Sequence, residues 1–529
     1  MAASSLPPPL RNAALAATLA LAALLLWWDL GGLSLWSDEA WTLHWARQSV
    51  VDLFSKMPQQ DPNPPLAHLV LHVARAVGLE GETAQRWLFT LPAIGGVALA
   101  FLLGRRLFDE RVGLLAAFLL ASSPFLILFG RMLRYYGFGL CFAALSVWAF
   151  LRLREETAGS NDERASDDRR RGVVYVLATL AMLYSTYLTC FVLLVQNVVA
   201  LFARRPVLPV RRWIALQVVI VVGYLPWWGA LLRTLSMQAS GTFTDTVADF
   251  NLNWSAIPLK LGYALYSFSA GENLFPWQLG ATLPLFAVIA VALYRCRHQP
   301  RRSVLLCAAL VVVPLVGVSI VTTFLATWSS FVYTAPRVCF SVVFFWLLVA
   351  AGIGSFSSGR VRAALVAVVV AVNAFALAGY YQGERYLVPV YAVPWKQAFQ
   401  DVESACSTGT NTLITDDELI ADLYHERGDW SFRPYRIGGR MRRENPEQLL
   451  RELRALAPER CHLLVTGRDS THNPIPSELL GWLDREYERV EDQGYVAIDP
   501  TYRQLKSRVL GREGYDYKLR RWVYEKRSP

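Results

Sequence analysis

Asp38 and Glu39 stand side by side in the segment 34–65, SLWSDEAWTLHWARQSVVDLFSKMPQQDPNPP, just past a long apolar run. Paired acids at that place have two readings. They are solvated loop acids, or they open a helix whose N-terminal dipole favours negative charge. Alternatively one carboxylate is a general base or a metal ligand held at a membrane surface. In the second reading it would take the proton from an acceptor hydroxyl attacking the anomeric carbon of a sugar. Further on, Asp61-Pro62-Asn63-Pro64-Pro65 forms a stiff turn. Each Pro fixes its own φ and pushes the residue before it toward extended backbone, which would hold Asp61 and Asn63 in place. A turn of this kind also serves a purely structural end. Arg131 and Arg134, with Tyr135 and Tyr136, follow another apolar run, and Arg337 precedes a later one in YTAPR. Arginine beside an apolar run either snorkels as an anchor or pairs with an anion, of which a lipid phosphate is the obvious one at that depth.

These residues need elements to position them, and the composition says which. Of 529 residues 54% are hydrophobic and 18% charged, too apolar for a soluble chain of this length. A bilayer crossing takes about 20 apolar residues. Candidate spans begin near residues 13, 87, 112, 135, 173, 188, 213, 277, 303, 338 and 361, the pair 173–187 and 188–203 being short for two crossings. The first, preceded by Arg11, has no A-x-A site after it and reads as an uncleaved helix. With the N-terminus cytoplasmic, the loops 105–111, 152–171, 204–212, 295–302 and 357–362 hold 19 Lys and Arg in 50 positions. The opposite loops (34–86, 131–134, 186–188, 233–276 and 326–337) hold 9 in 116, so the positive-inside rule selects this orientation. It also requires that 64–79, which carries His68, His72 and Arg75, lie on the outer interface or re-enter, because a crossing there would invert the charge pattern. The same holds for 256–272.

Asp38, Asp61, Arg131, Arg134 and Arg337 therefore all fall on one face, the outer one. The net charge of +10 is spent on membrane orientation, not on a nucleic-acid surface. GVALAFLLGRRL lacks phosphate-loop spacing, so no nucleotide site is expected. The seven Cys show no CxxC spacing. From about residue 384 the chain turns mixed and charged. TLIT and HLLVTG read as buried strands with helices after them, a small α/β domain over 384–529 following a membrane domain over 1–383. Its two cysteines, Cys406 and Cys461, are either a disulfide or two core thiols.

SDEAWT, DPNPPLAHLVLH and GRMLRYYGF, in that order, resemble the membrane glycosyltransferases of the GT-C fold: protein O-mannosyltransferases, aminoarabinose transferases and rhizobial lipopolysaccharide core transferases. The resemblance covers residues 13–380 and is most specific in 30–150. It implies about eleven transmembrane helices, a polyprenyl-phosphate sugar donor and inversion at the anomeric carbon. It implies a catalytic first outer loop, 34–86, with Asp38 as base and Glu39 as its acidic neighbour. It implies that the donor phosphate meets the position of Asn63, where relatives often carry His or Lys. Since Asn brings no charge, Arg134, Arg131, His68 or Arg337 would supply it here, with Asp61 and Tyr135 shaping the site. Some relatives bind a divalent metal ion. The acceptor would be a lipid, a glycan or a protein, and the Ala/Arg/Val-rich composition suggests a bacterial plasma membrane. A competing reading is a lipid-linked sugar flippase. The near absence of ionisable residues within the spans and of repeated halves speaks against it.

Overall fold

A computed structural model describes residues 7–527 apart from 62, 154–160, 203–207, 240–253, 255, 325–333, 384, 406–410, 416, 426–432, 437–445, 457–459, 467–476 and 511–515. Each of the eleven apolar segments forms helix. Among the described residues six helices have the length and composition to cross a membrane, and a seventh candidate is a bent pair. That pair is the apolar segment that begins near residue 112. Glu110–Ala121 and Pro124–Gly130 meet at 60°. Pro124 opens the second piece and has no N–H to continue the first. Tyr136–Arg152, Tyr187–Phe202 and Cys339–Gly354 are apolar but shorter. The helix expected from 173 starts at Asn161, so the charged stretch before it is helical as well. Leu66–Ala76, at 11 residues, is about 16 Å long, half a hydrocarbon core, and cannot cross.

The chain divides into two compact units. The first takes in the residues up to Leu30 and most of Trp45–Ala378; the second joins Gly31–His44 to Gly379–Pro529. Close helix packing in the first unit depends on glycine. A Cβ on Gly104 would lie 2.5 Å from Gly113 Cα, and one on Gly352 would lie 1.9 Å from Ala292 O. In lipid, where burial of apolar side chains gives no drive to association, such close backbone approach is a main source of helix–helix attraction. The contact at Gly352 is with backbone, which cannot move aside. Gly352→Ala is therefore expected to cost about 1–3 kcal/mol, read as a lowered thermal midpoint in detergent; an unchanged midpoint would contradict this packing.

Polar side chains join four more helices. Ser146 and Thr179 lie 2.8 Å apart, Gln196 Nε2 donates to Ser146 Oγ at 3.0 Å, and Tyr175 OH donates to Gln196 Oε1 at 3.1 Å. Trp213 Nε1 donates to Asn197 Oδ1 at 3.0 Å. Each buried group finds a partner, which is the condition for a polar network to hold rather than weaken a bundle.

In the second unit a five-stranded sheet has the order β2-β1-β3-β5-β4, from β1 (Asn411–Thr415), β2 (Arg433–Arg436), β3 (Arg460–Thr466), β4 (Tyr487–Ala497) and β5 (Tyr517–Lys526). β1 is parallel to β2 and β3, and β5 is antiparallel to β3 and β4. TLIT and HLLVTG supply the expected strands β1 and β3. Ile414, Leu463, Trp482, Leu483 and Tyr524 build the core on one face. Cys461 is buried in that core and its thiol is pushed up to about 12 by burial; Cys406 lies outside the described residues.

Candidate active site

In the first unit the Pro-rich turn does what its sequence suggests. The Asn63 N–H donates to Asp61 Oδ1 at 2.9 Å, and the Asn63 side-chain amide donates to the same oxygen. This is the local turn that Asp and Asn favour. The two Asn63 donors hold the Asp61 carboxylate in place. Pro62 lies outside the described residues. Pro65 then precedes the helix Leu66–Ala76, whose first turn carries His68 to Asp61. His68 Nε2 lies 3.4 Å from Asp61 Oδ2, and Arg134 Nη1 lies 4.0 Å from the same atom. All three side chains are buried, between 2% and 7% exposed. Burial alone would raise the Asp61 pKa. The neighbouring His68 imidazole, the charge of Arg134 and the Asn63 N–H outweigh it and hold the group at about 2.

Arg134 and Tyr135 sit in the short link between Pro124–Gly130 and Tyr136–Arg152. The guanidinium lies 5.7 Å from the Tyr135 ring centroid, and Tyr135 packs on Tyr136 at 4.7 Å. Burial raises the Tyr135 hydroxyl well above its usual range, so it is a hydrogen-bonding group and not a base. Arg131, three residues earlier, goes elsewhere. It donates to Trp28 O at 2.7 Å and Asp29 O at 2.6 Å, the carbonyls ending the first helix. A cation suits that end of the helix dipole. Through these contacts Arg131 caps the first helix.

Two buried groups went unnoticed in the sequence. Lys260, on the helix Ala256–Ala270, is fully buried. Its ammonium donates to Thr322 Oγ1 at 3.0 Å and Thr323 Oγ1 at 2.8 Å. Both hydroxyls pass their own protons to backbone carbonyls, so they offer Lys260 lone pairs only. Burial, and then the charge of Arg337, draw the Lys260 pKa down to about 8. Arg337, on the short helix Thr334–Arg337, is also felt at Tyr135. The second group is Glu272, fully buried and held by the hydroxyls of Ser267 at 2.6 Å and Tyr263. Burial pushes its carboxyl up to about 7. The only sequence signal for either was a single charge in or beside an apolar segment.

In the second unit Asp38 and Glu39 lie in the first turn of the helix Ser37–Ala46, as negative charge should. They differ in exposure. Glu39 is 1% exposed, and its Oε2 accepts the Trp36 N–H at 3.2 Å, the returning half of a capping box. This hydrogen bond gives Glu39 a structural part at the start of the helix. Asp38 is only half-buried. Among the described residues no group of three or more His, Cys, Asp or Glu is placed to hold a metal ion. The Arg134 guanidinium beside Asp61 makes this carboxylate a poor ligand for a divalent ion.

Residues 62–229 match the family model described as dolichyl-phosphate-mannose-protein mannosyltransferase. The fold is similar to that of ArnT from Cupriavidus metallidurans in the apo state, with TM-score 0.54 and 12% identity over 96% of this chain and 97% of that one. ArnT bound to undecaprenyl phosphate gives TM-score 0.51 and 13% identity over the same shares. An oligosaccharyltransferase from Archaeoglobus fulgidus is more distant, at TM-score 0.48 and 13% identity over 86% of this chain and 69% of that one. No curated protein matches the chain. With a matched family segment and a shared fold over nearly its whole length, the chain is a polytopic α-helical membrane protein of the GT-C fold, with a C-terminal α/β domain.

Proposed function

We propose that this protein is a glycosyltransferase that moves a sugar from a polyprenyl-phosphate donor to a lipid, glycan or protein acceptor on the outer face of a bacterial plasma membrane. The observation that carries the reading is a group of cations in the first unit, two of them buried. Arg134 and Lys260 are buried, and the charge of Arg337 reaches both Lys260 and Tyr135. The carboxylate beside Arg134, Asp61, is shared with His68, and Lys260 has hydroxyl partners only. A buried ammonium held by hydroxyls, as Lys260 is, would gain from an anionic ligand beside it. A lipid phosphate fits, and ArnT, of the same fold, is described bound to one.

The reaction is a single displacement. Asp38 takes the proton of the acceptor hydroxyl as its oxygen attacks the anomeric carbon. The C–O bond to phosphate breaks on the opposite face, giving inversion. The bridging oxygen's electron pair leaves with the lipid phosphate, whose growing charge Arg134, Lys260 and Arg337 stabilise. Donor sugars within reach of the reading include mannose, galacturonic acid, arabinose and aminoarabinose. The positive-inside pattern supports a cytoplasmic N-terminus and an outer C-terminal domain.

The test is transfer by the purified protein in liposomes with a panel of polyprenyl-phosphate sugars, following release of lipid phosphate. Release with none of them, alongside movement of sugar-lipid across the bilayer, would replace this reading with a flippase. Arg134→Ala is expected to raise the KM for the donor about 10- to 100-fold, the scale of one charge-assisted contact. A donor KM unchanged in this variant would remove Arg134 from the phosphate site.

A further inference from the structure

The residues just before Asp38 are held by side chains that lie some 360–390 positions later in the chain. Several polar groups of segment 31–37 are met from the C-terminal domain. The Leu35 N–H donates to Tyr424 OH at 2.8 Å, and Ser37 Oγ donates to Asp417 Oδ2 at 2.5 Å. Leu35 and Ser37 are alternate residues. Asp417 and Tyr424 stand at the start and in the last turn of one helix, Glu418–His425. Asp417 also accepts the Ile420 N–H through Oδ1 at 3.3 Å, so it caps that helix. One carboxylate therefore ties together the starts of two helices: its own, and the one that carries Asp38.

A second helix, Trp395–Ala405, holds the other end of the segment. The Lys396 ammonium donates to Gly31 O at 2.5 Å and more weakly to Leu33 O at 3.4 Å, and the Lys396 N–H donates to Ser34 Oγ at 3.0 Å. The Trp36 ring meets Tyr391 edge-on at 5.0 Å. Ser34, Leu35 and Trp36 are all buried. The direction in which the Ser37–Ala46 helix leaves is fixed by these contacts together with the Glu39 cap. Successive helical residues point about 100° apart, so a small change in how the helix starts re-aims Asp38.

We propose that the C-terminal domain is a positioning element of the reaction, in which Asp417 and Tyr424, backed by Lys396, set the geometry of the segment that presents Asp38. This rests on the reading of Asp38 as the base. Asp417 and Tyr424 are positioning residues; neither is asked to touch substrate. A misplacement of about 1 Å costs up to about 100-fold in rate. The expected signature is thus a fall in kcat with donor binding intact.

The experiment uses the full-length protein carrying Ser37→Ala, Asp417→Asn, Tyr424→Phe, or Ser37→Ala with Asp417→Asn. Transfer is measured with whichever polyprenyl-phosphate sugar the wild type uses, and amide hydrogen exchange is followed across 31–44. Each single variant should lower kcat about 10- to 100-fold and leave the donor KM within about twofold. The double variant should be no worse than its singles, since both remove one bond. Exchange at the Leu35 amide should quicken in Tyr424→Phe, a conservative change that keeps the ring packing. Wild-type kcat in Asp417→Asn and Tyr424→Phe, or unchanged exchange at Leu35, would overturn the proposal while Asp38→Asn stays inactive. Full activity in Asp38→Asn would instead remove the base assignment on which it rests.

Discussion

Asp38→Asn is expected to lower sugar transfer about 10²- to 10⁴-fold, the range that a positioned general base contributes. Asn matches the carboxylate in shape but has no site of useful basicity for the acceptor proton. The protein itself should fold and insert. Asp38 is half-buried in a helix's first turn, so the stability at stake is the dipole interaction, about 0.3–1 kcal/mol. Glu39→Gln separates the two acids. Glu39 is buried and accepts the Trp36 N–H, and a Gln side chain can still accept through its carbonyl oxygen. Its effect should therefore fall mainly on stability, with most of kcat kept. Equal release of lipid phosphate by wild type and Asp38→Asn would reopen the assignment of the base; loss in Glu39→Gln alone would transfer it to Glu39.

The second large effect is expected at Asp61, and on stability. Asp61→Asn leaves His68 and Arg134 facing a neutral amide in a buried setting, and removing one partner of a buried pair typically costs about 3–5 kcal/mol. The pH dependence has a definite sign. The folded-state pKa is lowered from 3.8 to about 2, so the unfolded chain binds this proton more readily. The stabilisation, about 2 kcal/mol by linkage, is complete above pH about 4 and fades as pH falls toward 2. The wild type should lose that increment of stability on acidification across this window, and Asp61→Asn should not. Parallel profiles for the two proteins in detergent would show that the carboxylate is not held as described.

These two residues also show how much could be read without coordinates. The helices of the eleven apolar segments and the two strands TLIT and HLLVTG follow from patterns that each segment carries in itself. Length, hydrophobicity and flanking charge are local, and a bilayer or a sheet core responds to them directly. The Asp61 turn was legible for the same reason: Pro fixes its own backbone, and Asn63 reaches only two residues back. The acid pair after the first helix was legible as a position, since adjacency to a span is a fact of sequence.

What the tertiary structure alone decided is which of several equivalent polar residues faces which partner. Arg131 and Arg134 are three residues apart and alike in the sequence. One ends on the carbonyls of Trp28 and Asp29, the other beside Asp61, because the chain bends at Pro124 and leaves helix before Tyr136. Asp38 and Glu39 are neighbours, yet helical geometry buries one and leaves the other half-open. Lys260 and Glu272 gain their meaning from burial, which depends on segments scores of residues away. The grip of Asp417 and Tyr424 on Ser37 and Leu35 spans 380 and 389 positions. Hydrogen bonds act over about 3 Å, so such pairings exist only once folding has brought the two stretches together, and no local pattern records them.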